Sequence, residues 1–242
     1  MRNVVIIQAR MGSTRLPGKV MKTLLGKSVL EHVLQRASSI PGVDEVVLAT
    51  TVKSEDDVIV EEARRLNIPF YRGSEEDVLS RYYEAAVHRK ADVIMRLTSD
   101  CPMLDPEVSG KVLQTFHDNG EVDYVSNTIN RRYPRGLDTE VFSFESLEKA
   151  HRETADPYYR EHVTAYFYNN PERFRCGEIQ SEEDYSHYRW TLDTSEDWDL
   201  IQSIYQELYQ EGTLFSWTKG IELMKSRPEL LLINSHIEQK SK

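Results

Sequence analysis

The chain predicts an α/β fold: a mostly parallel sheet with flanking helices and a small β excursion in its second half. Two observations carry this. Through the first half, short β-rich apolar runs at 4–8, 45–50, 69–72 and 93–98 alternate with helical patterns at 28–38, 55–66, 77–89 and 106–118. That alternation favours parallel strands joined by right-handed crossovers. The second half loses the rhythm, which places the excursion there.

The opening Val4-Val5-Ile6-Ile7 reads as a buried first strand. It is too short for a secretory signal, and polar Gln8 and Arg10 end it at once. Ser28 and Glu31 make a Ser-x-x-Glu capping box ahead of apolar Leu30, Val33 and Leu34. Asp105 caps the helix at 106–118, with Pro106 at its first position. Beyond that, 139–144 and 188–192 read as strands, and 145–152 and 161–168 as helices. The pattern at 195–210 is a helix capped by Ser195, with Glu196 and Asp197 in its first turn. Its apolar face is Leu200, Ile201, Ile204, Tyr205 and Leu208. The Tyr/Pro-rich stretch 130–136 suits a loop over a ligand. There is no repeat, low-complexity tract or linker, so residues 1–242 are expected to form a single domain with 235–242 a frayed tail.

Of the 242 residues 39% are hydrophobic, enough for a buried core, and no apolar run approaches a membrane span. Two cysteines, Cys101 and Cys176, without a CxxC, argue against a disulfide framework or a thiolate zinc site and for a reducing cytoplasm. The net charge of −10 argues against a nucleic-acid partner. Positive charge gathers locally instead. Arg10, Arg15 and Lys19 fall within ten residues with no acid between them, which suggests a small polyanionic ligand.

The segment Gln8-Ala9-Arg10-Met11-Gly12-Ser13-Thr14-Arg15-Leu16-Pro17-Gly18-Lys19 follows the first strand. It should therefore emerge at the carboxyl edge of the sheet, where open α/β sheets bind ligands. Gly12 and Gly18 allow close backbone approach, Ser13 and Thr14 offer hydroxyls, and Arg10, Arg15 and Lys19 supply charge for a triphosphate. It is not a Walker loop: the spacing from Gly12 to Gly18-Lys19 is one residue too long, and Val20 stands where Ser or Thr would hold Mg²⁺.

Asp100 follows the fourth predicted strand, across the sheet edge from this loop. Triphosphate chemistry commonly uses Mg²⁺ held by one or two carboxylates and substrate phosphates. With Asp105 better placed as the helix cap, Asp100 is a candidate metal ligand. Asp193, after 188–192, reads equally as a helix-start residue or a metal ligand. His162 reads as a base, a substrate contact or a structural histidine. Arg135, Asp138 and Glu140 could bind sugar hydroxyls or a carboxylate, or form an ordinary turn salt bridge. Gly73, Ser74 and Arg81 are placed for nucleobase contact. Nothing near Cys101 suggests an activated thiolate.

At the first loop the chain resembles the sugar-acid cytidylyltransferases, which make CMP-linked Kdo and acylneuraminates. The match is closest to the spore coat polysaccharide biosynthesis type within that group. The likeness extends through 97–102, 135–142, 160–164 and 190–194. It implies a Rossmann-like nucleotide-diphosphosugar transferase fold, CTP and a sugar acid as substrates, Mg²⁺ on Asp100 and Asp193, and a homodimer. In-line attack of a sugar hydroxyl on the α-phosphate would release pyrophosphate, with Arg10, Arg15 and Lys19 neutralising it. The Kdo enzymes carry glutamine where this chain has Thr98, so cytosine specificity rests on the likeness as a whole. The rival readings are a glycosyltransferase or a non-sugar nucleotidyltransferase on the same fold, and a non-catalytic nucleotide-binding protein. Ser99-Asp100-Cys101 lacks the Asp-x-Asp pair usual in the first of these.

Overall fold

The structure is a computed structural model and describes residues 1–239. Its centre is a seven-stranded sheet built from β1 (Asn3–Gln8), β4 (Glu45–Thr51), β5 (Phe70–Gly73), β6 (Val93–Thr98), β7 (Tyr124–Ser126), β8 (Glu140–Ser143) and β9 (Cys176–Glu178). The two-residue strands β2 (Thr23–Leu24) and β3 (Lys27–Ser28) form a separate hairpin. The order across the main sheet is β5-β4-β1-β6-β8-β7-β9. Pairings of β4 with β5, β1 with β4 and β1 with β6 are parallel, those of β6 with β8 and β8 with β7 antiparallel, and β7 with β9 parallel. The chain runs outward from β1 through β4 to β5, then returns to place β6 on the other side of β1. That reversal opens a crevice at the carboxyl ends of β1 and β6.

β1 is buried on both faces, so its apolar residues need no alternation with polar ones. Val5 and Ile7 join the core on one face of the sheet, and Val4 and Ile6 the core on the other. The crossovers are α1 (Val29–Ala37), α2 (Asp57–Arg65), α3 (Val78–Arg89) and α4 (Pro106–Asp118). Their starts obey capping chemistry. Ser28 accepts from the Glu31 amide, Asp77 from Ser80, and Asp105 from Glu107 and Val108. Only half of the predicted capping box at Ser28 forms, because the Glu31 carboxylate is taken by Arg65 and Gln35.

The second half departs further from expectation. The helix expected over 161–168 is two short ones, α6 (Pro157–His162) and α7 (Ala165–Tyr168), broken where Val163 takes φ 49°. α5 (Phe144–Glu153) precedes them. The strand expected at 188–192 is a single bridge between Arg189 and Arg135. Close packing forces this: Gly136 has φ 108°, and a Cβ there would lie 2.7 Å from the Trp190 carbonyl carbon and oxygen. α8 (Ser195–Leu208) is capped by Thr194 rather than Ser195, and Asp197 returns a bond to complete the box. α9 (Trp217–Ser226) and α10 (Leu231–Asn234) close a third core around Trp190. Of the tail expected to fray, 240–242 lie outside the described residues, while Gln239 accepts a 2.6 Å hydrogen bond from Arg189. No helix among the described residues is long and apolar enough to cross a membrane.

Candidate active site

The first loop and the end of β6 meet because their strands pair in register, with Gln8 opposite Thr98. The loop is held from below. Asp56, fully buried, accepts the Met11 amide at 2.7 Å, and Met11 O in turn receives the amides of Ser13 and Gly18 at 2.8 and 3.3 Å. Gly18 takes φ 65°, a left-handed conformation that suits glycine, and so turns Lys19 back over the sheet edge. The result is a cleft of about 860 Å³. Ala9, Arg10, Gly12, Ser13, Thr14, Arg15 and Lys19 line it from the loop, and Asp100, Asp193, Arg81 and His162 from elsewhere.

At its floor Lys19 joins the two predicted carboxylates. Its Nζ donates to Asp100 Oδ2 at 2.6 Å, Asp193 Oδ1 at 2.9 Å and Leu192 O at 2.6 Å. Arg15 and Arg189 reach Asp193 Oδ2 at 3.0 and 2.8 Å. Burial alone would discharge both partners, yet the attraction wins. Lys19 is pushed above its ordinary value by Asp100 and Asp193, and Asp193 is held below its own by Lys19, Arg15 and Arg189. Two hard oxygen donors converging on one cation are what Mg²⁺ takes from a protein when phosphates supply the rest, and the Lys19 ammonium is the stand-in ion. Among the described residues no group of three or more His, Cys, Asp or Glu could hold a metal. Two carboxylates alone are a sparse set, and Mg²⁺ bound by one or two carboxylates commonly takes further oxygens from substrate phosphates.

The cleft is also lined by Glu75, Glu76 and Asp77 ahead of α3 and by Val78 and Arg81 within it. Arg81 is 3% exposed, donates to the Ser74 carbonyl, and among the described residues has no partner for its Nε. Gly73 and Ser74 do not themselves line the cleft. Gly73 leaves room for the Arg81 stem, since a Cβ there would meet Tyr71 at 3.0 Å and Arg81 at 3.2 Å. Arg10 reaches across to Glu75 at 3.0 Å. His162 also lines the cleft, its ring 4.7 Å from that of Tyr158.

Arg135, Asp138 and Glu140 are not brought to the cleft. Asp138 is clasped by both Nη atoms of Arg131, at 2.5 and 2.6 Å, so the ordinary turn salt bridge accounts for it. Glu140 pairs with Arg96, which does line the cleft, and with Tyr124. Arg135 lies at the main-chain bridge to Arg189. Burial pushes the Cys101 thiol well above its ordinary value, as a resting thiol requires. The sequence reading missed Asp56, Arg96, Arg160 and Arg189. Arg160, which pairs with Asp77 at the rim, stood beside His162 in a segment already singled out. Nothing local marks the others.

A switch-point crevice with a basic loop facing paired carboxylates suits a nucleotidyltransferase, and comparison with known proteins bears out that class. The chain belongs to the cytidylyltransferase family, whose model it matches over residues 4–220. It is 37% identical to the spore coat polysaccharide biosynthesis protein SpsF of Bacillus subtilis over 232 residues, 93% of this chain and 94% of that one. An uncharacterized protein of Methanocaldococcus jannaschii is 38% identical over 245 residues, covering 100% of this chain and 98% of that one. Among solved structures, a cytidylyltransferase from Leptospira borgpetersenii superposes with a TM-score of 0.92 at 35% identity, covering 99% of this chain and 100% of that one.

Proposed function

We propose that this chain transfers CMP from CTP to a hydroxyl of a sugar acid, releasing pyrophosphate, with Mg²⁺ and in the cytoplasm, for the synthesis of a surface or spore coat polysaccharide. The observation that carries the reading is the convergence of Lys19 on Asp100 and Asp193, beside Arg15, at the ends of β1 and β6. Arg10, Arg15 and Lys19 hold the β- and γ-phosphates and take up charge as pyrophosphate leaves, with Gly12 and Ser13 offering backbone and hydroxyl donors. Asp100 and Asp193 would hold Mg²⁺, which would supply Lewis-acid polarisation of the α-phosphate. Arg81 and His162 both line the cleft, and we assign Arg81 to the base and His162 to the acceptor. The likeness to SpsF supports the polysaccharide context.

The experiment is incubation with CTP, Mg²⁺ and a panel of nonulosonic and octulosonic acids, read by mass spectrometry. A CMP-sugar acid with matching pyrophosphate supports the reading. A different nucleotide product, or a preference for a non-acidic acceptor, would overturn it.

A further inference from the structure

Asp193 has no strand to hold it. Just before it the backbone is tied by the Arg189–Arg135 bridge and by the Leu192 amide, which donates to Asp100 O at 2.8 Å, but among the described residues no main-chain pairing reaches the Asp193 carboxylate itself. A side-chain network does so instead. Asp197, fully buried, accepts the Asp193 and Thr194 amides on Oδ2 at 2.9 and 3.1 Å. The same carboxylate receives Arg189 Nε on Oδ1 at 2.8 Å and Nη2 on Oδ2 at 3.0 Å. Arg189 Nη2 then reaches Asp193 Oδ2 at 2.8 Å. Behind them, the Asn234 amide in α10 donates to both Asp197 Oδ1 and Arg189 O at 2.9 Å.

The consequence lies in how the two oxygens of Asp193 divide. Oδ2 is held by Arg189 and Arg15, and Oδ1 is left toward Lys19 and Asp100. Arg189 is buried and is not among the residues lining the cleft, so what it does there runs through Asp193. We infer that Arg189 is a positioning residue that, braced by Asp197 and Asn234, fixes the Asp193 carboxylate with a single oxygen facing the shared cation site. The C-terminal helix α10 is thereby part of the metal site's frame. The inference rests on the reading of Asp193 as a metal ligand.

The test is Mn²⁺ affinity of the full chain in the presence of CTP, by paramagnetic resonance, for Arg189→Met, Arg189→Lys, Asn234→Ala and Asp193→Asn. CTP binding without metal and thermal unfolding are measured alongside. Removing a group that orients a ligand typically weakens metal binding about 10–100-fold. Arg189→Met should lose Mn²⁺ affinity on that scale with metal-free CTP binding unchanged, and Arg189→Lys should recover part of it. A purely structural ion pair would instead lower the unfolding temperature and leave Mn²⁺ affinity alone in the folded variant. Folded Arg189→Met with wild-type Mn²⁺ affinity, while Asp193→Asn has lost it, overturns the brace and leaves the metal assignment standing. Wild-type affinity in Asp193→Asn overturns both. Where Arg189→Met does not fold, Asn234→Ala decides: weaker Mn²⁺ binding supports the brace, and unchanged binding ends it.

Discussion

Replacing Lys19 with methionine keeps the stem and removes the cation that two carboxylates share. Both oxygens lie on one nitrogen, at 2.6 and 2.9 Å, so they are at most roughly 5.5 Å apart. Two unit charges at about 5 Å repel by about 3 kcal/mol at an effective dielectric of about 20. The side chains of Asp100 and Asp193 are 24% and 16% exposed, so solvent trims this without removing it. Arg15 and Arg189 remain on Asp193. Lys19→Met should therefore lose about 1–3 kcal/mol of stability in metal-free buffer. The pH dependence has a definite sign. Asp193, held below its ordinary value, contributes stability above 3.8 that is lost as pH falls through its folded value. Lys19, held above its ordinary value, contributes fully below 10.5 and loses that as pH rises through its folded value. The deficit of the variant should be full between those limits and vanish in strong acid. Urea unfolding at pH 7 and at successively more acid pH, with EDTA and with Mg²⁺, measures it, and Mg²⁺ should reduce the neutral-pH deficit. The same substitution should weaken CTP binding by about 1.5–3 kcal/mol, the worth of a hydrogen bond to a charged group. Wild-type stability at pH 7 together with wild-type CTP affinity would refute the reasoning.

Asp100→Asn and Asp193→Asn should each raise the Mg²⁺ requirement and lower kcat, and the double variant should be scarcely worse than the weaker single one, because the pair acts as a unit; additive losses in steady-state kinetics would argue for separate roles. Calorimetry should rank CTP above UTP, ATP and GTP, and Arg81→Met should shrink the gap; tighter binding of another triphosphate would contradict the cytidylyl assignment. Arg15→Ala should slow turnover about 10²–10³-fold if its guanidinium meets the leaving pyrophosphate; unchanged kinetics would make it only a partner of Asp193. Gly136→Ala should cost about 1–3 kcal/mol in urea unfolding, from its left-handed φ and the clash with Trp190; an unchanged midpoint would show that the turn relaxes.

The half of the fold that positions the nucleotide was legible because its signals are local. Apolar runs at β1, β4 and β6, caps at Ser28 and Asp105, and the glycines and cations of the first loop each declare themselves within a dozen residues. The other half depends on distant contacts. The run at 188–192 has strand composition, but the turn at Gly136 packs against its backbone and leaves a single bridge. The helix expected over 161–168 breaks at Val163, with no proline or glycine to announce it. Asp100 and Asp193, which the structure brings together on Lys19, were singled out because each follows a predicted strand without being the best cap of the next helix, and, for Asp193, because of the family resemblance. What braces the loop and Asp193 was not, since Asp56 supports the loop through Met11 across 45 residues and Asn234 meets Arg189 across the same span. Asp138 and Glu140 had the composition of a sugar site, and only the structure shows their charges already spent on Arg131 and Arg96.

The most direct measurement is pyrophosphate release from CTP in the presence of Mg²⁺ and each acid of the acceptor panel, with Asp100→Asn as control. The account predicts release that needs an acidic sugar, matches the CMP-linked product one for one, and collapses in the variant. CTP binding with no pyrophosphate from any acceptor would make this a nucleotide-binding protein rather than a transferase of CMP, and would contradict the account at its centre.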